Sequence, residues 1–324
     1  MAFNRDNAVK YAERFWNIPC DDGLLWLTDD VIVVENKRRD LKAPASDGWQ
    51  PMFVPDPDGS RAEKAVFRRT VGGKNEDRLI NGWAGLADCA HYLSRCLSAG
   101  GAAISERGVA QLIQTLQARP DTKTLCEKVP QDNAQRVIDT GIFKKGDMIG
   151  YFNVSDEGDY GGRKAYSHST MFVGKIDASK VGGVTCHTVS RFPPKSWVED
   201  RWFLSDHYNY TLIHFSVDDM AVAPATLSAI EGWWQIDYSS RTEYVFIFRN
   251  GMARYTKRAP KSATETIHAI EGSAYWFLDA SGKITFTWRA TGTVDVWSPD
   301  SKGNFSSTIN GSIPGKLTHL FPPT

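Results

Sequence analysis

The sequence predicts an α+β domain followed by an all-β antiparallel barrel or sandwich. Three observations predict it. From residue 88 to 139 apolar residues recur at helical spacing, and after Gly146-Asp147 the chain turns to β-branched and aromatic strands, an order that suits an α+β domain. The segment DMAVAPAT at 219–226 reads as a linker. Beyond it, alternating strands are broken by RNG, ASGK, ATG and SKGN turns. The expected division is 1–218, a linker at 219–226, and 227–324.

Taken in order, residues 6–16 place Ala8, Tyr11, Ala12 and Phe15 on one face of a helix. Residues 40–80 are rich in Pro, Asp, Gly and Arg and read as an exposed loop or insertion; the DPDGS stretch within them reads as a turn. The segment DCAHYLSRCLSAGG at 88–101 is a helix with Ala90, Leu93 and Leu97 on one side, stopped by Gly100 and Gly101. Further helices are expected at 106–118 and 131–139. MIGYFNV, HSTMFVGKI and GVTCHTVSRF are expected strands. In the last hundred residues a repeat begins at Glu231 and again at Glu271, each copy opening on Glu-Gly and an aromatic pair. Two copies are too few for a propeller. Tryptophans at 233, 234, 276, 288 and 297 fill a β core or line a ligand surface, and the core is the commoner use. The Gly-x-Trp start and hairpins give this region a loosely lipocalin-like look, which implies no ligand.

The bulk numbers exclude several classes. Charged residues are 23 % and apolar residues 41 %, so the chain buries a core rather than remaining disordered. Lys plus Arg equals Asp plus Glu at 38 each, without the basic bias of a nucleic-acid binder. No run approaches the length of a membrane span. The start MAFNRDNAVKYAERFW has no apolar core of a secretory signal. The five cysteines, at 20, 89, 96, 126 and 186, form neither a disulfide framework nor a CxxC zinc pattern. No cofactor or metal is expected.

The chemistry centres on Cys89. It falls in the first turn of its helix, where backbone N–H groups and the helix dipole favour the thiolate. Asp88 stands at the N-cap position, from which its carboxylate can cap the helix. His168 opens one strand and His187 lies on the next. If these strands are antiparallel neighbours, both imidazoles project from one face, His168 to pair with the sulfur and His187 to orient His168. The backbone N–H of Cys89 is the natural oxyanion donor, with Tyr11 as a second. Cys96 and Cys186 read as core packing, Cys186 on the face opposite His187, and His91 as a surface or supporting group.

These residues resemble a family pattern. The order Cys, His, His is similar to that of the NlpC-type cell-wall cysteine peptidases, a papain-like superfamily. The nearest branch is an amidase branch whose motif runs Asp-Cys-x-Asn-Phe-Val-Ser-Gln-x-Leu-x-x-Gly-Gly. Here the motif reads from Asp88 and Cys89 to Gly100 and Gly101, with His91 in place of Asn and Arg95 in place of Gln. Gly146-Asp147, His168 and His187-Thr188 match the later motifs, and the resemblance spans roughly residues 6–216. It implies a papain-like fold for 1–218. It also implies a peptidoglycan hydrolase, an amidase or endopeptidase cutting the stem peptide through a thioester. With no export signal, such an enzyme is a phage lysin or an antibacterial effector. The effector is cytoplasmic in its producer and leaves by a contact-dependent, type VI-like route for the periplasm or wall of a target cell. Its partners are then a secretion-machine component and an immunity protein. Two other readings remain open: a cysteine protease, deamidase or acyltransferase acting on a protein, and a non-enzymatic binding protein.

Overall fold

The computed structural model describes residues 2–16, 20–21, 50–55, 63–79, 88–154, 164–175, 182–187, 207–219, 229–265, 271–301 and 304–321. The chain forms two compact units, 1–119 with 144–208, and 120–143 with 209–324. The expected boundary at 218 falls within the second of these units. Most of the expected linker, and the DPDGS turn, lie outside the described residues.

The first unit opens with α1 (Arg5–Phe15), capped by the Asn4 side chain, which accepts from Asn7 N at 2.9 Å. Its buried residues Ala8, Ala12 and Phe15 are three of the four apolar positions of the sequence pattern. Within 40–80 the expected loop is replaced by a three-stranded antiparallel sheet, β1 (Gln50–Pro55), β2 (Glu63–Val71) and β3 (Lys74–Leu79). Val71 faces Lys74 across a two-residue turn. Gly72 and Gly73, at φ of 59° and 78°, supply the left-handed conformation that such a hairpin demands.

Two helices follow, α2 (Cys89–Ala99) and α3 (Val109–Ala118). Both pack on β6 (Tyr166–Lys175), which lies between β5 (Met148–Asn153) and β7 (Gly182–Thr185) in an antiparallel ladder. Gly146-Asp147 fixes the entry to β5. Gly146 N donates to Phe172 O at 2.7 Å, and Asp147 is buried in an ion pair with Arg5 at 2.5 Å. The α1 helix is thereby tied to the ladder through a charge it would be costly to leave unpaired.

In the second unit β4 (Thr122–Val129) pairs antiparallel with β8 (Tyr208–Phe215), and α4 (Gln131–Asp139) packs on β4. The remainder is a closed antiparallel barrel of eight strands in sequence order: β9 (Gly232–Tyr238), β10 (Thr242–Ile247), β11 (Met252–Thr256), β12 (Gly272–Leu278), β13 (Ile284–Trp288), β14 (Val294–Pro299), β15 (Phe305–Ile309) and β16 (Ile313–Leu320). β16 closes on β9, so no strand edge is left open. The choice between barrel and sandwich thus resolves to the barrel. The repeat at Glu231 and Glu271 corresponds to β9–β11 and β12–β14. Trp234, Trp276 and Trp297 lie in the barrel core with Ile236, Val245 and Phe286. The barrel contacts β4 and α4 through Arg289, whose guanidinium pairs with Glu127 at 2.6 Å, and through Asn133, which donates to Thr291 O at 2.8 Å.

Candidate functional site

Cys89 is the first residue of α2 and is 4 % exposed. Asp88 is its N-cap residue, but its carboxylate does not cap the helix. Instead Oδ1 meets His91 Nδ1 at 2.9 Å and Oδ2 meets His187 Nδ1 at 2.7 Å. Asp88 is fully buried. Burial alone would raise its carboxyl, yet the two imidazoles outweigh that effect and hold it at about 2. The carboxylate is therefore a fixed negative charge behind the start of α2.

His187 is also fully buried, and its second nitrogen, Nε2, lies 2.6 Å from Phe15 O. Its ring stacks on Tyr92 with centroids 3.9 Å apart. The Tyr92 hydroxyl in turn meets Thr185 Oγ1 at 2.8 Å and donates to Ala12 O at 3.1 Å. The end of α1, the start of α2 and the end of β7 are stitched together at this point. Burial pushes the Tyr92 hydroxyl well up, so it remains neutral.

His168 is 2 % exposed and lies opposite Tyr151 on β5, the two rings 5.3 Å apart. Register decides which way it faces. Met171 lies opposite Thr185, and side chains alternate along a strand, so His168 shares a face with Tyr151 and Thr170. Thr185 and His187, which meet Tyr92, occupy the other face. The expectation that both imidazoles project from one face is not what this register gives. His187 directs its two nitrogens to Asp88 and Phe15 O, not along a relay through His168. It also sits in a turn just past β7 rather than within a strand.

Tyr11 is likewise elsewhere engaged. Its hydroxyl donates to Asp21 Oδ1 at 2.7 Å and accepts from Asp21 N at 3.2 Å. Arg95, at the position where the family motif has Gln, binds the same carboxylate at 2.7 Å. His91 is buried rather than on the surface, at 5 % exposure. None of the five cysteines is in a disulfide, and all five are buried. Burial raises the Cys96 thiol strongly and the Cys126 thiol to about 12, which leaves both inert.

Cys20 is the residue that sequence reasoning passed over. Its sulfur, an Asp88 oxygen and a His187 nitrogen all lie within 4.8 Å of one another. Cysteine, carboxylate and imidazole are donors that zinc accepts. Both His187 nitrogens and both Asp88 oxygens are already engaged, Nδ1 with Oδ2, Nε2 with Phe15 O and Oδ1 with His91, which describes a closed hydrogen-bonded network rather than an open coordination shell. No sequence signal joins Cys20 to Asp88 across 68 positions of chain.

Among the described residues no helix is long and apolar enough to cross a membrane. Compared with protein-family models, curated proteins and solved structures, the chain matches none at a significant level.

Proposed function

We propose that the first unit is a cysteine hydrolase of amide bonds. Cys89 is its nucleophile, His168 takes and returns the proton, and the stem peptide of peptidoglycan is its substrate. The observation that carries this reading is the start of α2. The side chain best placed to cap that helix turns away to two histidines, leaving the first turn without a side-chain cap where the cysteine sits. Helix N-terminal N–H groups stabilise an anion, whether a thiolate or the oxyanion of a tetrahedral intermediate.

The steps balance without any other reagent. The Cys89 sulfur bonds to the amide carbonyl carbon as its proton passes to imidazole. The C–N bond then breaks and the amine leaves with that proton, giving a thioester. Water adds to the thioester, a proton passes through the imidazole again, and the C–S bond breaks to release the acid and the thiol. His168 is assigned the proton transfer on the order of the motifs alone, since in the register of β6 it lies on the face away from the Thr185–Tyr92 contact with α2. His187 acts at one remove: by holding Asp88 it positions the start of α2. The substrate class rests on the resemblance of 88–101, Gly146-Asp147, His168 and His187-Thr188 to NlpC-type amidases. On the same reading the chain is an antibacterial effector, exported from its producer by a contact-dependent machine and countered there by an immunity protein.

Alkylation of the folded protein followed by peptide mapping tests the nucleophile. Cys89 is expected to react at least ~10-fold faster than the other four cysteines, and the rate is expected to fall in His168→Ala. Equal, slow alkylation of all five would sink the assignment.

A further inference from the structure

The barrel has a filled end and a hollow end. At the filled end Trp297 packs against Trp234 and Phe286, with ring centroids 5.3 and 4.6 Å away. Each inward series then continues, two residues on, into a cavity of about 230 Å³ at the other end. Ile236 is followed by Tyr238, Ala253 by Tyr255 and Phe286 by Trp288; Val245 is preceded by Glu243 and Trp297 by Asp295. Tyr255 and Trp288 meet edge to face at 5.1 Å and form one wall.

The charges in this cavity are not balanced alike. Glu243 is paired with Arg241 at 2.7 Å, and Glu271 with Lys257 at 2.9 Å. Asp295, 1 % exposed, receives only neutral donors: Ser307 Oγ at 2.7 Å and Trp297 Nε1 at 3.0 Å. Among the described residues no cation pairs with it. Burial raises its carboxyl to about 6. A buried carboxylate without a cation is costly, and aromatic faces attract cations. The chain already shows that this lining takes one: the Arg241 guanidinium stands 5.0 Å from the Tyr238 ring centre.

We propose that the hollow end of the barrel binds a small organic cation, a protonated amine on a short flat or aliphatic body, with the ammonium at Asp295 and the body between Tyr238 and the Tyr255–Trp288 wall. The size is suitable, since an apolar cavity of roughly 150 Å³ holds benzene. The amine belongs either to a free small molecule or to a lysine-like side chain on a peptide.

Calorimetric titration of the full chain with benzylamine, benzyl alcohol, phenylacetate and N-acetyl-lysine methylamide tests this. Benzylamine or the lysine derivative should bind saturably at one site. Benzyl alcohol should bind at least ~10-fold more weakly than the better of the two amines, and phenylacetate not at all. Asp295→Asn should weaken amine binding at least ~10-fold, and Trp288→Leu should weaken it independently. Binding of the lysine derivative places the amine on a peptide; binding of benzylamine alone places it on a free molecule; both support the site. The proposal is overturned if neither amine binds up to about 10 mM. It is equally overturned if the alcohol or the acid binds as well as the amine, or if a folded Asp295→Asn protein binds the amine unchanged.

Discussion

At Asp88 one carboxylate holds two imidazoles, and this has a measurable acid signature. Its folded-state value of about 2 lies below the ordinary 3.8, so the charged form is favoured by folding. Its contribution to stability is complete above about pH 4 and is lost as pH falls towards 2. Asp88→Asn leaves His91 and His187 without their charged partner and is expected to cost about 3 kcal/mol at pH 7. Urea denaturation across that acid range should show a shallower pH dependence in the variant; an unchanged profile would remove Asp88 from the network. His168→Ala should abolish turnover, whereas His187→Ala should fold less stably and retain measurable turnover, because it acts through Asp88. A pH–rate profile of His187→Ala separates the roles: a role for His187 in proton transfer would remove a limb of the wild-type profile. Cys89 and Asp88 were legible from a helix start in DCAHYLSRC. The His91 bond follows from i, i+3 spacing, but the pairing of Asp88 with His187, 99 positions away, has no local signal.

Among the elements, the helices were read well and several strands were not. The α1, α2 and α4 helices follow apolar spacing with clear stops, and β5, β6 and the barrel strands follow alternation and turn residues. The β2–β3 hairpin was missed although Val-Gly-Gly-Lys carries its turn, because the surrounding Pro, Asp and Arg suggested a loop. Strands β4 and β8 were missed for a different reason. β8 is buried at nearly every position and β4 carries register shifts, so neither alternates. The register shift next to His168 works at the same scale: one extra residue at Ser167 sets which face the imidazole takes. Two substitutions test how elements are held. Tyr92→Phe removes the hydroxyl that joins α2 to Ala12 and Thr185, and should cost about 1–2 kcal/mol by chemical denaturation. Trp297→Ala, at a fully buried barrel position, should cost about 3–5 kcal/mol. A loss under about 1 kcal/mol there would mean the barrel core does not depend on that ring.

For the whole molecule, composition and turn pattern conveyed a mixed first part and an all-β second part. They did not convey the contacts of Glu127 and Asn133 with Arg289 and Thr291, which join residues more than 150 apart. The proposal that Cys89 makes this chain a hydrolase of wall peptide is tested most directly by digestion of purified sacculi with the wild type and with Cys89→Ala, new termini being identified by mass spectrometry. The wild type should release stem-peptide fragments bearing one new amine and one new carboxyl group per cut, and the folded variant none. Intact sacculi after wild-type treatment, or equal release by the variant, would contradict the claim.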